Sequence, residues 1–347
     1  MRRNTFAALL VLCGLILSLA SCGFLGELFA TEFRGDIDVA TVTKAGTYNV
    51  TAGFYVNDVW TIEAGSTFIM DPDTWIDVSS SGKIVAVGTS SKPIVFKSSK
   101  SVPARGDWNG VSDDGNGSSY VYCIFSDADT GLDINGSLAR VENCTFRNDT
   151  EGLDLYDAPS MGSLSSNQFE SNVDPLIVCG KYDLDDTNTF RDNTHQYVTL
   201  DSGTVTATRS WGVLSVPLYI DAGFRVEAIL TIAAGTTLSM GPDTWIDVES
   251  SGSLRAVGTE AAPISFVSSK STPAAGDWYG VTVDGNGSNL TWCTVSHAGT
   301  GVDLNSSSFT LEHSTLTGSA TDLDYNDAGA WTLSGTNTVT LSSPDAP

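Results

Sequence analysis

The feature that most limits the fold is a long internal repeat. The run TIEAGSTFIMDPDTWIDVSSSGKIVAVGTSSKPIVFKSSKSVPARGDWNGV, at positions 61–111, returns without a gap as TIAAGTTLSMGPDTWIDVESSGSLRAVGTEAAPISFVSSKSTPAAGDWYGV at positions 231–281. Such a repeat in a chain of 347 residues points to like units stacked on one another rather than to one closed globule. A finer period lies inside it. Phe125, Phe146, Phe169 and Phe190 recur at nearly equal steps, three of them in the related phrases Asn143-Cys-Thr-Phe146, Asn167-Gln-Phe169 and Asn188-Thr-Phe190. Val295, Leu316 and Val339 continue the spacing in the second copy, so the ladder is expected to keep its phase across the copy boundary near Trp211.

Around these positions apolar and polar residues alternate, as at Val121, Cys123 and Phe125 and at Ile76 and Val78, the period of a strand with one face inward. Turn clusters such as Ser79-Ser-Ser-Gly82 and Asp113-Asp-Gly-Asn-Gly117 separate the strands, and no stretch after residue 30 carries a sustained helical period. Short strands, this short repeat and no crossover helices predict an all-β solenoid, a single-stranded parallel β-helix with coils of about 21–23 residues. Residues 46–214 form the first copy and 215–347 a shorter second one, continuous with it. Cys123 and Cys144 should stack inward on successive coils as free thiols, because the spacing of parallel strands, about 4.8 Å, exceeds the roughly 3.5–4.5 Å between Cβ atoms of a disulfide.

The start of the chain reads as a leader: Arg2 and Arg3, an apolar run from Phe6 to Ala20, then Leu19-Ala-Ser-Cys22. The last four residues resemble a bacterial lipobox. That resemblance implies a signal peptide over residues 1–21 and lipid, palmitate included, on Cys22, which becomes the mature N-terminus and attaches the protein to the membrane. Gly23 after the cysteine implies sorting to the outer membrane of a two-membrane bacterium. Residues 22–45 are then a tether with room for a capping strand. No nucleic acid is expected as a partner: 17 Lys and Arg stand against 41 Asp and Glu, a formal charge of −24, and such a surface repels phosphate.

The repeated phrases carry a second resemblance. Thr231-Ile-Ala-Ala-Gly-Thr-Thr237, Gly82-Lys-Ile-Val-Ala-Val-Gly-Thr89, Pro93-Ile-Val-Phe96 and Gly106-Asp-Trp-Asn-Gly110 resemble those of right-handed parallel β-helix proteins of the pectate-lyase-like superfamily, and of bacterial surface lipoproteins within it. The resemblance supplies the right hand of the coil and raises polysaccharide lyase or glycoside hydrolase activity as one reading. The lyase phrase WIDH departs here, however: Val78 and Val248 stand where its histidine belongs. The carboxylate pairs Asp113-Asp114, Asp185-Asp186 and Asp154 with Asp157 read as turn residues. A structural or binding role toward a polysaccharide or another surface protein is the favoured expectation.

Two sets of residues are candidates for that role. If Ile76 and Val78 point inward, Trp75 and Asp77 face out, and likewise Trp245 and Asp247. A tryptophan beside a carboxylate stacks on a sugar ring and binds its hydroxyls. The competing reading is a long turn folded over each ring, as expected for Trp108 and Trp278. Counting about eight coils puts the two sites roughly 38 Å apart along the rod. The second set, Asp114 and Asn116 with Asp284 and Asn286, places oxygen atoms at alternating positions, as at the start of a Ca²⁺ loop, though the glycine is displaced and no glutamate closes it. Ca²⁺ is the one cofactor the sequence suggests. Asn-Gly and Asp-Gly are equally ordinary turn dipeptides.

Overall fold

The computed structural model describes residues 30–306, 308–325 and 328–339. The leader, Cys22 and residues 340–347 lie outside them. The described chain is a parallel β-solenoid of about 13 turns. Its strands are three to seven residues long, and no helix occurs among the described residues. They assemble into one eight-stranded, one 12-stranded and three six-stranded sheets running along the axis, with every strand paired to the turn above or below rather than to its sequence neighbour. The solenoid is under way before residue 46: Thr31–Phe33 already pairs with Tyr48–Val50, and Thr41–Thr43 with Trp60–Ile62.

The interior is built from columns of like side chains. In the eight-stranded sheet, Tyr48, Phe68, Phe96, Phe125, Phe146, Phe169 and Phe190 form one continuous stack, with adjacent ring centroids 5.0–5.4 Å apart and planes within 20° of parallel. Strand spacing sets the ring spacing, so the aromatic contact follows directly from backbone pairing. The expected near-constant coil length holds only from Phe125 upward. Phe68 and Phe96 are stacked neighbours joined by a longer stretch of chain, because the turn at Thr89–Lys92 lengthens that coil.

Tight corners flank the phenylalanine strands. Tyr122, Asn143 and Ser166 precede them, and Asp127, Asn148, Ser171 and Asp192 follow them, all with left-handed φ of 50–70°. A lone residue of this kind reverses the chain in one step, and Asn, Asp and Ser tolerate it best. Two polar ladders then run beside the aromatic column. Cys144 N–H donates to Asn167 Oδ1 at 2.9 Å and Asn167 N–H to Asn188 Oδ1 at 3.1 Å. Ala128, Asp149 and Asn172 N–H groups donate in turn to Asp149, Asn172 and Asn193, at 2.7–2.9 Å. The residue that aligns with Asn167 is therefore Cys144, and Asn143 is the corner. Cys123, Cys144, Cys179 and Cys293 are free and buried, and burial pushes the Cys123 thiol well up.

The expected phase of the ladder does not survive the copy boundary. Thr67–Met70 belongs to the eight-stranded sheet, but its repeat partner Thr237–Met240 belongs to the 12-stranded one. Val295 and Leu316 accordingly sit in the 12-stranded sheet, not above Phe190. The offset between the copies is a number of whole turns plus one face. The slip occurs over residues 179–217, where the eight-stranded sheet ends at Thr189–Arg191 and a new six-stranded sheet opens at Gly203–Val205. The 12-stranded sheet meanwhile runs from Phe54–Val56 to Thr315–Thr317 through both copies.

Within matching coils one buried pair differs. Asp113 is fully buried, and its carboxylate accepts Tyr120 Oη at 2.7 Å and Gly115 N–H at 2.8 Å. Burial raises its pKa in spite of those bonds. The second copy has Val283 and Leu290 at these positions, also buried, and there Gly285 N–H turns to the Val248 carbonyl at 3.1 Å. Asp113→Val alone leaves the Tyr120 hydroxyl buried without a partner and should cost about 1–3 kcal/mol. Adding Tyr120→Leu should recover most of that loss, measured as urea midpoints of the two variants at constant slope.

Candidate binding site

Trp75–Val78 is a strand of the 12-stranded sheet in which Ile76 and Val78 are buried while Trp75 and Asp77 stay half-exposed on the outer face. Glycines lie on the turns on both sides of the indole, and the one below makes room for it. Along the axis Trp75 aligns with Gly53 below and Gly110 above. A Cβ on Gly53 would fall 2.3 Å from the ring, so the indole lies flat on that backbone. Gly110 is required by the chain itself: it has φ of 116°, sits at a register shift, and a Cβ there would meet the Thr130 carbonyl at 1.6 Å. Gly110 and Trp75 line a notch of about 220 Å³, bounded also by Asp77, Asn109, Ser112, Thr130 and Asp133. Tyr55, on the turn below, meets Trp75 edge to face at 4.7 Å and 64°.

The notch opens onto a column of acids. Asp77 aligns with Ser112, Ser112 with Asp133, and Asp133 with Asp154 on successive turns. Parallel pairing spaces these carboxyls closely while the sheet desolvates them, and both effects disfavour charge. Burial, then Asp114, raises Asp77. Burial raises Asp133 despite bonds from Asn135 and Ser112. Asp154 is pushed up to about 6 by burial, against a bond from Tyr156 N–H and with Asp133, Glu151 and Asp157 adding to the rise.

The matching site in the second copy is built differently. Trp245 lies on Gly223 as Trp75 lies on Gly53. But Arg225 replaces Tyr55, with its guanidinium 5.8 Å over the Trp245 ring and its Nε 3.9 Å from Asp247 and 3.5 Å from Glu249. Because of the one-face slip, Trp245–Val248 lies in a six-stranded sheet, not in the one that carries Trp75. The two tryptophans are seven turns apart rather than eight, ~34 Å, and on different faces of the rod. A straight polymer lying along one face meets only one of them.

The other candidates fall elsewhere. Asp114 and Asn116 are exposed; Asn116 Oδ1 takes the Ser137 N–H at 3.2 Å, and Asp284 Oδ1 takes an Asn305 amide at 2.9 Å. Asn286 is likewise exposed and partnered. Among the described residues no three acidic, histidine or cysteine side chains converge as a metal-ligand group. Trp108 and Trp278 are buried under their turns, each donating its indole N–H to a carbonyl at 2.9 Å. The aspartate of each GDW phrase anchors that turn: Asp277 accepts Lys270 at 2.8 Å, Ser268 at 2.6 Å and Ala274 N–H at 2.9 Å, and these bonds hold its carboxyl well below the ordinary range.

Sequence reasoning missed Tyr55, Asp133 and the two glycines. The step from Asp133 to Asp154 equals that from Phe125 to Phe146 and was open to view. Asp77 to Asp133 was hidden because the coil from Ile76 to Val111 is much longer than those that follow it.

Comparison with protein families finds a match to the model described as a pectate-lyase-like β-helix domain, over residues 35–120 and 193–302, more than half of the chain. Neither the curated proteins nor the solved structures contain a match.

The raised pKa of Asp154 fixes the sign of one measurement. Folding favours its protonated form, so its contribution to stability is full below about pH 4 and is lost as pH rises through about 6. Asp154→Asn should therefore raise the thermal midpoint at pH 7, by of order 1 kcal/mol once solvent screening is allowed for, and leave it unchanged at acid pH.

Proposed function

This chain belongs to the family of pectate-lyase-like β-helix domains, and from that premise we propose that it is an exported, lipid-anchored binding protein of a bacterial envelope whose ligand is a polysaccharide. The observation that carries the reading is the Trp75 notch, an aromatic ring laid on Gly53 beside Asp77, Asp133, Asn109 and Thr130. An indole face with flanking hydrogen-bonding groups suits a sugar ring. Export and the anchor rest on the leader and on Cys22. Ca²⁺ joins the proposal only as an auxiliary ion at the Asp114–Asn116 and Asp284–Asn286 turns.

A second reading is hydrolysis or elimination on such a polymer. Asp154, raised to about 6 and aligned with Asp133 on the next turn, is the observation in its favour, since glycoside cleavage uses a pair of carboxyls one of which donates a proton. Against it, Val78 and Val248 replace the histidine of the lyase phrase.

A glycan array probed with the intact protein tests the binding reading. Retention of at least one polysaccharide, lost in Trp75→Ala and kept in Trp245→Ala, is expected. Equal retention by both variants removes the site, and new reducing or unsaturated ends in the incubated glycan favour the enzyme. A thermal midpoint that is the same in Ca²⁺ and in chelator eliminates the ion.

A further inference from the structure

The two copies form an internal comparison. In the second, Arg225 reaches from the neighbouring strand over Trp245 and toward Asp247 and Glu249, so the indole and two carboxylates hold a guanidinium supplied by the chain; Ser79 stands in the first copy where Glu249 does in the second. In the first, the same indole, carboxylate and glycine floor are present, but the residue at the arginine position is Tyr55. No lysine or arginine bounds the notch, and Asp133 lines it, as Asp303 stands at the matching position of the second copy. Trp75 supplies the aromatic wall of the notch, and Tyr55 supports that ring edge to face at 4.7 Å from the turn below. Aromatic faces attract organic cations, more strongly when water is excluded, and a nearby carboxylate adds to the attraction.

We propose that the Trp75 notch binds an organic cation, a guanidinium or alkylammonium group carried by the ligand. The inference rests on the notch being the polysaccharide site proposed above and specifies that polymer: one bearing free amines, not uronates. A polyuronate meets Asp77, Asp133 and Asp154 along the same column and is repelled by like charge. Arg225 shows the orientation such a group takes, over the ring with its charge toward the carboxylate.

Calorimetric titration of the intact protein with methylguanidinium tests the site without any polymer. One saturable event is expected, weakened at least about tenfold in Asp77→Asn and more strongly at high salt. Tyr55→Arg, which copies the second site, should set its own guanidinium over Trp75 and toward Asp77, as Arg225 does at Trp245 and Asp247, and abolish the event while the thermal midpoint is kept. Arg225→Tyr should open the second site and raise the stoichiometry from one to two. No saturable event in the parent protein, or an event untouched by Tyr55→Arg, overturns the proposal. Glucosamine oligomers and their N-acetylated counterparts separate it from the function on which it rests. Binding of the amine form alone supports both. Methylguanidinium binding with neither oligomer bound keeps the cation site and removes the polysaccharide. Binding of the acetylated form without methylguanidinium does the reverse.

Discussion

Backbone hydrogen bonding between successive turns is the constraint on which this protein depends. Parallel pairing holds each turn one strand spacing above the last, and every other regularity follows from that distance. Rings separated by it stack, as the seven from Tyr48 to Phe190 do. Amides separated by it form ladders, as Asn167 with Asn188 and Asn172 with Asn193 do. Carboxylates separated by it crowd, and at Asp154 burial raises the pKa, with Asp133 and its neighbours adding to the rise. One geometry stabilises the interior and charges the surface.

Interior and surface use glycine for opposite ends. Gly53 admits the Trp75 ring, a side-chain requirement, whereas Gly110 satisfies a backbone bulge and lines the notch. The outer site is thus shaped by the strand register beneath it. The corners divide labour in the same way: Asn143 and Asn148 take the left-handed turn, leaving Cys144 and Asp149 to face inward.

Much of this was legible in the residues. The alternation of Ile76 and Val78 with Trp75 and Asp77 was enough to assign inner and outer faces, because a strand has only two. The spacing of Phe125, Phe146 and Phe169 was enough to stack them. Phe68 and Phe96 were concealed, since a turn inserted between strands changes the count along the chain without changing the column. The slip of one face was concealed for a related reason. Residues 179–217 have no counterpart phrase, and an offset in sequence does not report an angle about the axis. Tyr55 and Asp133 entered the site through that same gap between chain distance and height along the rod.

The exchange of Asp113 and Tyr120 for Val283 and Leu290 has a historical consequence. Copies that began alike reached two internally consistent states, one hydrogen-bonded and one greasy, and point mutation can connect them only through an ancestor with a stranded buried polar atom. That ancestor had to stay folded. The stacked turns must therefore have held reserve stability larger than one such defect when the copies parted.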